Sequence, residues 1–207
     1  MSVKVFIDGS AGTTGLRIAD RLAARPEIEL LSISEEGRKD VNERAKVINS
    51  ADLAFLCLPD AASREVMPLL RPDVKVLDTS TAFRTDPNWV YGFPELRPGQ
   101  REAIAGARYV ANPGCHATGF ISIVAPLVQA GLLSADADLC CFSLTGYSGG
   151  GKKMIAQYEA GHDEALLAPR LYGLSLTHKH LPEMKKVCHL QKDPLFCPVV
   201  DDYYRGM

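Results

Sequence analysis

A glycine-rich turn between an early strand and a helix constrains the fold of this chain more than any other feature. The apolar run 3–7 leads directly into Gly9-x-x-Gly12-x-x-Gly15, and apolar residues then recur at helical spacing over 16–23. A second apolar run, 28–33, follows the helix. This strand, turn, helix, strand order predicts a βαβ unit and therefore a parallel sheet in an α/β protein.

The same turn is a candidate binding site for a dinucleotide. Glycine permits a tight turn and a close approach of a diphosphate to the backbone, and the N-terminus of the following helix offers unpaired N–H groups. The alternative is a structural turn that binds nothing, but its place between a strand and a helix favours the binding site. The predicted cofactor-binding residues of the turn are Gly9, Ser10, Gly12, Thr13, Thr14 and Gly15.

The segment after the second strand bears on which dinucleotide is bound. Ser34, Arg38 and Lys39 together could hold the 2′-phosphate of NADP, whereas the nearby Glu35 could serve the ribose of NAD. A charged loop is also what an ordinary solvated surface looks like. On balance these residues favour NADP(H).

Strands and helices continue to alternate beyond this unit. The run 51–58 is almost wholly apolar, as strands buried on both faces are, and the runs 74–78 and 108–111 are predicted to be further strands. The proline-bearing segment 79–107 shows little periodicity and is predicted to be a long functional loop.

The character of the chain changes after a helical stretch at 117–130. A strand at 139–145 runs into a glycine-rich segment, and a further strand near the end of the chain has no helix after it. We therefore predict a Rossmann-type parallel-sheet domain over 1–136 and an α+β domain over 137–207. The second domain is expected to be incomplete, as a piece of a longer protein.

Cys115 is the candidate nucleophile. The sequence Asn112-Pro113-Gly114-Cys115 follows a strand and precedes a helix, so the thiol is expected in the helix's first turn. Unpaired N–H groups and the helix dipole there favour a thiolate, and the same groups could receive an oxyanion. Three other cysteines lie within strands and are expected to be core residues, namely Cys57, Cys140 and Cys141. The surroundings of Cys188 and Cys197 in the sequence indicate no chemical role.

A thiolate nucleophile needs a partner that moves protons. His178 and His180 alternate along an extended segment, so both lie on one face, where one could reach the sulfur while the other binds substrate or packs. No third ligand accompanies this pair, so no metal site is predicted. His116 is expected to be structural, and His162 and His189 to lie on helix surfaces.

Ser80 and Arg84 are candidates for holding an anionic group of the substrate. They follow the strand 74–78, and ligands of open α/β sheets bind at the carboxyl ends of the strands. A guanidinium suits a phosphate. An arginine that pairs with a neighbouring acid on the surface explains the same residues equally well.

Composition excludes several classes of protein. The net charge of −2 argues against a nucleic acid partner. No apolar stretch approaches the roughly 20 residues needed to span a bilayer, and the N-terminus lacks the layout of a secretory signal. Six cysteines without a regular spacing indicate reduced thiols in a cytoplasmic protein.

Taken in order, these motifs resemble the N-acetyl-γ-glutamyl-phosphate reductase family of arginine biosynthesis, in its short form. The resemblance covers essentially the whole chain, and the segments that carry it are Gly9–Gly15, Ser80–Arg84, Tyr91–Leu96, Asn112–Cys115, Gly146–Gly151 and His178–Glu183. More distantly the chain is similar to aspartate-β-semialdehyde dehydrogenase.

The resemblance implies an NADPH-dependent reductive dephosphorylation that proceeds through a thioester on Cys115. It places the acid/base histidine on His178, with His180 second, and makes the second domain a catalytic and dimerisation domain of a homo-oligomer, a dimer or a tetramer. The residues it implies near the substrate are Ser80, Arg84, Asn112, Ser148, Gly149 and His180. Two alternatives stay open: a related reductase of aminoadipyl or aspartyl phosphate, and a nucleotide-binding module without catalysis.

Overall fold

The computed structural model describes residues 2–10, 13–161 and 164–206, with 13–16 described by their backbone alone. No α-helix in these ranges is both long enough and apolar enough to cross a membrane. The helices and strands are β1 Val3–Asp8, α1 Thr13–Ala23, β2 Ile28–Leu31, α2 Val41–Ser50, β3 Leu53–Leu56, α3 Asp60–Val66, β4 Lys75–Asp78, β5 Val90–Tyr91, α4 Gln100–Gly106, β6 Tyr109–Ala111, α5 Cys115–Gln129, β7 Cys140–Gly146, α6 Gly151–Glu159, β8 Arg170–Leu171, α7 Leu181–Val187 and β9 Leu195–Asp201.

The chain divides into two compact units, Met1–Pro113 and Gly114–Met207. The predicted domain boundary at 136–137 assigns α5 to the first domain. By compactness α5 instead belongs with the second unit, because it packs against α7.

The first unit is built on one parallel sheet with the strand order β2-β1-β3-β4-β6-β5. Its strands are short and apolar, and a core forms where they meet α2 and α3. Phe6, Ile48, Leu56, Val66 and Val76 are almost fully buried in that core. Burial of such side chains contributes about 1.5–3 kcal/mol each and fixes which face of each helix turns inward.

The order of strands reverses between β1 and β3, which places a topological switch point beside the glycine turn. From β1 the chain passes to β2 on one side of the sheet and then to β3 on the other. In open parallel sheets the crevice at such a point, at the carboxyl ends of the strands, is where ligands bind.

The segment 79–107 has a fixed structure, although it was predicted to be a long loop. It contains β5 and α4, and the ring of Trp89 stacks between Phe83 and Tyr109 with centroid distances of 4.2 and 4.9 Å. The Gln100 side chain is 2% exposed and donates a hydrogen bond to the carbonyl of Tyr91. Prolines shorten each element here, so no periodicity long enough to recognise remains in the sequence.

The second unit combines a small mixed sheet with α5, α6 and α7. Strand β9 pairs in parallel with β7 and antiparallel with β8. Together with the parallel sheet of the first unit, this confirms the predicted class, a Rossmann-type domain followed by an α+β part.

Candidate active site

Cys115 is the first residue of α5 and its side chain is exposed. Gly114 precedes it in an extended conformation, and the Gly114 carbonyl accepts hydrogen bonds from the backbone and the hydroxyl of Thr118. The first turn of α5 contains no acidic residue that would compete for the helix dipole. The predicted position of the thiol at a helix N-terminus is therefore the observed one.

Glu183 was not predicted as a site residue, yet its side chain contacts the residue that precedes Cys115. Its side chain is 1% exposed, and its Oε2 accepts a hydrogen bond of 3.1 Å from the N–H of Gly114. Its Oε1 is 4.0 Å from Nε2 of His180. A buried carboxylate requires such partners, because an ionised group is otherwise strongly destabilised away from water.

The two predicted histidines differ in their surroundings. The backbone N–H of His180 donates to Nδ1 of His178, at 3.2 Å. A neutral His178 therefore carries its proton on Nε2 and can donate from there. His180 is 4% exposed and has the Glu183 carboxylate beside it.

Burial lowers the pKa of His178, and the charge of Lys179 lowers it further. The side chain is consequently neutral at neutral pH. A neutral imidazole with a fixed tautomer is a hydrogen-bond donor at one nitrogen and an acceptor at the other.

His116, expected to be structural, lies in the middle of an aromatic cluster. Its ring centroid is 5.9 Å from that of His178, 5.8 Å from that of His180 and 5.2 Å from that of Phe196. Its Nδ1 is 2.7 Å from the hydroxyl of Ser143 and its Nε2 is 2.7 Å from that of Tyr172, which the sequence did not single out.

The glycine turn of the first unit begins at the carboxyl end of β1. Gly9 has φ +92°, and a Cβ there would lie 2.7 Å from the carbonyl oxygen of Cys57, so only glycine fits. The N–H of Ser10 donates to the carbonyl of Ile7 at 3.3 Å. Gly12 lies outside the described residues, and so do the side chains of Thr13 and Thr14, while the backbone from Thr13 onward, Gly15 included, forms α1.

A buried ion pair holds the strand that enters this turn. The carboxylate of Asp8 receives hydrogen bonds from Nε and Nη2 of Arg44, at 3.0 and 2.7 Å, and both side chains are 5% exposed. Nη2 also donates to the carbonyl of Ala62. This pair fixes the end of β1 against α2 and α3.

The residues predicted to recognise the 2′-phosphate lie together after β2. The Ser34 hydroxyl accepts a hydrogen bond of 3.0 Å from the N–H of Gly37, and Nη1 of Arg38 is 2.6 Å from Oε1 of Glu35. Lys39 is exposed. Arg38 and Glu35 thus form an exposed ion pair. In the sequence, the arginine favoured NADP and the glutamate favoured NAD.

Ser80 and Arg84 follow β4 in the first unit. The Ser80 hydroxyl donates to Oδ2 of Asp78 at 2.6 Å and accepts from the N–H of Ala82 at 3.1 Å. Nη2 of Arg84 donates to the carbonyl of Thr79 at 3.1 Å. These contacts shape the segment, and the role of both side chains toward a substrate stays a prediction.

The remaining predicted substrate residues lie in two places. The Asn112 side chain is exposed and donates to the carbonyl of Pro113, at the end of the first unit. Ser148 and Gly149 lie in the second unit, in a 3₁₀ turn, Tyr147–Gly150, between β7 and α6. Cys115, His178 and His180 belong to that same second unit.

The described residues offer neither a disulfide nor a metal site. None of the six cysteines is in a disulfide. Among residues 2–10, 13–161 and 164–206 there is no group of three or more Cys, His, Asp or Glu side chains arranged to hold a metal ion.

A parallel sheet with a glycine turn at its switch point, followed by a unit with an exposed thiol and two histidines, defines a class of dehydrogenase. The sequence profile of the semialdehyde dehydrogenase NAD binding domain matches residues 4–107, and that of the semialdehyde dehydrogenase dimerisation domain matches residues 115–207. The crystal structure of aspartate semialdehyde dehydrogenase II from Vibrio cholerae, complexed with ASA, has a TM-score of 0.65 at 16% identity. The match covers 97% of this chain and 70% of that one.

Curated relatives narrow the class. The N-acetyl-gamma-glutamyl-phosphate reductase of Trichormus variabilis is 50% identical over 99% of this chain and 65% of its own length. That of Chelativorans is 52% identical over 100% of this chain and 67% of its own length. This chain therefore belongs to the semialdehyde dehydrogenase family and, within it, to the N-acetyl-gamma-glutamyl-phosphate reductases, which confirms the predicted resemblance. It spans about two thirds, 65%, of the length of the first of these relatives.

Proposed function

We propose that this chain carries the catalytic groups for the NADPH-dependent reductive dephosphorylation of N-acetyl-L-glutamyl 5-phosphate to N-acetyl-L-glutamate 5-semialdehyde. The Cys115 thiolate attacks the acyl carbon, a carbon–sulfur bond forms, the carbon–oxygen bond to phosphate breaks and phosphate leaves. The observation that supports this most is an exposed thiol at a helix N-terminus, with a buried carboxylate fixing the residue before it. Backbone N–H groups of the first turn suit the oxyanion of the tetrahedral intermediate.

Acid–base work divides between the two histidines in this proposal. His180 lies beside the Glu183 carboxylate, which orients it and stabilises it when it takes the thiol proton. His178 accepts a hydrogen bond at Nδ1 and presents a proton on Nε2, which suits it to donate rather than to accept. The hydrogen bond from the backbone N–H of His180 to Nδ1 of His178 therefore favours His180 as the base and His178 as the proton donor. The family pattern instead gives His178 as the first candidate for the acid/base role.

The first unit fits a dinucleotide cofactor. Gly9 leaves no room for a side chain beside the backbone of Cys57, which follows β3, and it lies at the switch point of the sheet. The N-terminus of a helix such as α1 suits a diphosphate. We assign the diphosphate to the turn and the 2′-phosphate to Ser34, Arg38 and Lys39. When bound, NADPH supplies the hydride that reduces the thioester and releases the aldehyde.

The substrate's phosphate and amino acid groups require polar partners. We propose that these are supplied by the residues that the family pattern marks: Ser80, Arg84, Asn112, Ser148, Gly149 and His180. The reaction belongs to arginine biosynthesis, and we propose a cytoplasmic enzyme with reduced thiols.

Intact mass spectrometry tests the covalent step. We expect the chain, mixed with N-acetylglutamyl phosphate in the absence of NADPH, to gain one acyl group on Cys115 and to lose it when NADPH is added. Cys140→Ser is the matched control, since Cys140 is also exposed; it should keep the adduct, whereas Cys115→Ser should lose it. Acylation of Cys140 instead, or of no thiol, contradicts the proposal.

A substrate panel tests the identity of the acid. N-acetylglutamyl phosphate should acylate Cys115 faster than aspartyl or aminoadipyl phosphate at equal concentration. Acylation by aspartyl phosphate alone would leave the cysteine mechanism intact and overturn the assigned substrate.

We also propose that the full-length protein is a homo-oligomer, a dimer or a tetramer. Residues 115–207 match a dimerisation domain, and one face of the second unit's sheet exposes Phe142, Leu171 and Leu195, with 71%, 55% and 49% of each residue accessible. Contiguous exposed apolar surface of this kind marks a protein interface. Sedimentation velocity should show that the wild-type protein is an oligomer and that Phe142→Glu dissociates it. The control Ile123→Glu, on the exposed surface of α5, should leave the oligomer intact. A monomeric wild-type protein contradicts the proposal.

A further inference from the structure

A buried carboxylate that has no part in the reaction as proposed so far contacts Ser80. Asp78 is the last residue of β4 and is fully buried. Its Oδ1 accepts a hydrogen bond of 2.7 Å from the hydroxyl of Ser63 on α3, and its Oδ2 accepts one of 2.6 Å from the hydroxyl of Ser80. Both hydroxyl partners are neutral, so neither of them cancels the charge of the carboxylate.

The contacts of Ser80 decide what its hydroxyl can offer to a ligand. A hydroxyl group has one proton and two lone pairs. While Asp78 is ionised, that proton points to Oδ2, and one lone pair accepts from the N–H of Ala82 at 3.1 Å. Ser80 keeps 9% of its surface accessible, but it then presents only a lone pair to a ligand. A fully ionised phosphate has acceptors alone, so it cannot use the Ser80 proton as long as Asp78 does.

Protonation of Asp78 reverses one hydrogen bond and removes this conflict. The protonated acid donates from Oδ2 to the oxygen of Ser80, while Oδ1 still accepts from Ser63. The Ser80 proton can then point toward a ligand. A distance of 2.6 Å between two oxygens suits a hydrogen bond in either direction, so the change requires no movement of the heavier atoms.

The surroundings of Asp78 bring this protonation within reach. Burial raises the pKa of Asp78, the hydrogen bonds from Ser80 and Ser63 oppose the rise, and the charge of Asp60 on α3 adds to it. The two hydroxyl donors keep the acid ionised in the free protein, yet it takes up a proton more readily than an exposed carboxylate does.

The ionisable groups on the neighbouring strands do not compensate the charge of Asp78. Asp8, at the end of β1, is paired with Arg44. The thiol of Cys57, which follows β3, is neutral because burial raises its pKa to about 11.

Positive charge lies along the segment that carries Ser80. Nη2 of Arg64 and Nη2 of Arg84 each donate to a backbone carbonyl of the segment 79–84, at 2.6 and 3.1 Å. A guanidinium suits a phosphate or a similar anion. The segment therefore attracts an anion, whereas the ionised Asp78 repels it.

We propose that Asp78 is a positioning residue that takes up one proton from solvent when the substrate's phosphate binds at Ser80. The acid then donates to the serine oxygen, and the serine hydroxyl donates to the phosphate, which itself gains no proton. This inference rests on the proposed role of Ser80 toward the substrate, but the uptake of the proton is testable without the substrate and without Cys115.

Titration with sulfate at a series of pH values tests the coupling. Sulfate is a tetrahedral dianion that has no proton to donate and does not titrate near neutral pH. Trp89 reports its binding by fluorescence, because its ring stacks on Phe83 of the same segment. At constant ionic strength, the affinity of the wild type should fall about tenfold for each pH unit above the pKa of Asp78 and level off below it, since one proton binds with each anion. An affinity that does not change with pH, or no sulfate binding at all, overturns the proposal.

Asp78→Asn imitates the protonated acid. Its amide donates from Nδ2 to Ser80 and still accepts from Ser63 at Oδ1. We expect its affinity for sulfate to be independent of pH and, one unit above the wild-type pKa, to be about tenfold higher than that of the wild type. Asp86→Asn is the matched control: Asp86 follows the same segment and accepts from the N–H of Asn88, so this variant should keep the wild-type pH dependence.

A purely structural role for an ionised Asp78 predicts the reverse. Sulfate binding would then weaken in Asp78→Asn at every pH, and that outcome overturns the proposal. Ser80→Ala provides a second variant in case Asp78→Asn does not fold. Its affinity for sulfate should be lower and should change less with pH, because only the charge of Asp78 is left to act; an unchanged pH dependence contradicts the proposal.

The sulfate and acylation experiments separate the two proposals. Sulfate binding with the expected pH dependence, in a protein whose Cys115 is not acylated by N-acetylglutamyl phosphate, would retain the anion site and lose the assigned reaction. Acylation of Cys115 together with sulfate binding that does not change with pH would retain the reaction and remove Asp78 from it.

Discussion

Glu183 connects the histidine segment to the residue before the nucleophile through a hydrogen bond from the backbone of Gly114. Its carboxylate holds the N–H of Gly114 with one oxygen and lies near the ring of His180 with the other. Breaking a buried arrangement of this kind by removing one partner typically costs about 3–5 kcal/mol, because a charge is left unpaired. The carboxylate therefore affects both the geometry at Cys115 and the position of the His180 ring.

Replacing His178 and His180 one at a time shows which of them is the base and which is the proton donor. We expect His180→Asn to slow acylation of Cys115 by at least about 10²-fold, since a positioned base contributes roughly that much, and His178→Asn to slow it by less. Rapid-quench measurement of the acyl adduct reports this step directly. His189→Asn is a suitable control, because His189 is exposed with φ 57°, a conformation that asparagine tolerates. Slow acylation in His178→Asn alone would assign the base to His178.

Burial of His116 should make the second unit sensitive to acid. The pKa of this group is lowered to about 4 by burial and by His178, so the unfolded chain binds more protons than the folded one at pH values between about 4 and 6.5. Stability is thus complete above the ordinary histidine pKa and is lost as the pH falls toward the lowered one. Urea unfolding followed by circular dichroism should show a smaller loss between about pH 7 and 5 in His116→Gln than in the wild type. An equal loss in both would mean that other groups dominate.

Among the elements, those with an uninterrupted apolar pattern could be predicted from the sequence. Strands β1, β3 and β4 and helices α1 and α5 lie where the apolar runs place them. Helix α2 was not predicted, although Asp40 and Glu43 give the spacing of an N-terminal capping signal and the Asp40 side chain does accept from two N–H groups of the first turn.

The candidate site was predictable only where its residues are local in the sequence. Cys115 could be found because its turn and helix are adjacent to it. Tyr172 and His116 are 56 residues apart, and Gly114 and Glu183 are 69 apart, so their contacts arise from packing of distant elements. A glutamate in the first turn of a helix is common for electrostatic reasons alone, so nothing in the sequence distinguished Glu183.

The ion pair between β1 and α2 is expected to stabilise the turn that we propose binds the cofactor. Arg44→Met leaves the Asp8 carboxylate buried without its partner, so we expect a loss of about 3 kcal/mol in the free energy of unfolding and weaker NADPH binding. Lys46→Met, on the same helix but with a side chain 73% exposed, should change neither quantity by more than about 0.5 kcal/mol. Addition of Asp8→Asn to Arg44→Met should recover part of the stability. Thermal unfolding with and without NADPH measures both effects. If Arg44→Met changes neither the stability nor NADPH binding, the ion pair does not stabilise the turn.

At the scale of the whole molecule, the chemistry is distributed over the two compact units. The glycine turn, the segment proposed for the 2′-phosphate, Ser80 and Arg84 belong to Met1–Pro113, while the thiol and all the clustered histidines belong to Gly114–Met207. Each unit has its own sheet. A ligand that binds in the first unit and a ligand that binds in the second should therefore stabilise different parts of the chain.

The single tryptophan makes this division measurable. Trp89 stacks on Phe83 and Tyr109 within the first unit, so its fluorescence reports that unit, whereas far-ultraviolet circular dichroism reports the whole chain. NADPH at about 100 times its Kd should stabilise the Trp89 transition in urea by about 2.7 kcal/mol, because only the folded turn binds it. Iodoacetamide-treated protein, carrying a blocked Cys115, should show the same shift, since the second unit is not needed to hold the diphosphate. A Trp89 transition that NADPH leaves in place would show that the first unit does not bind the cofactor as proposed.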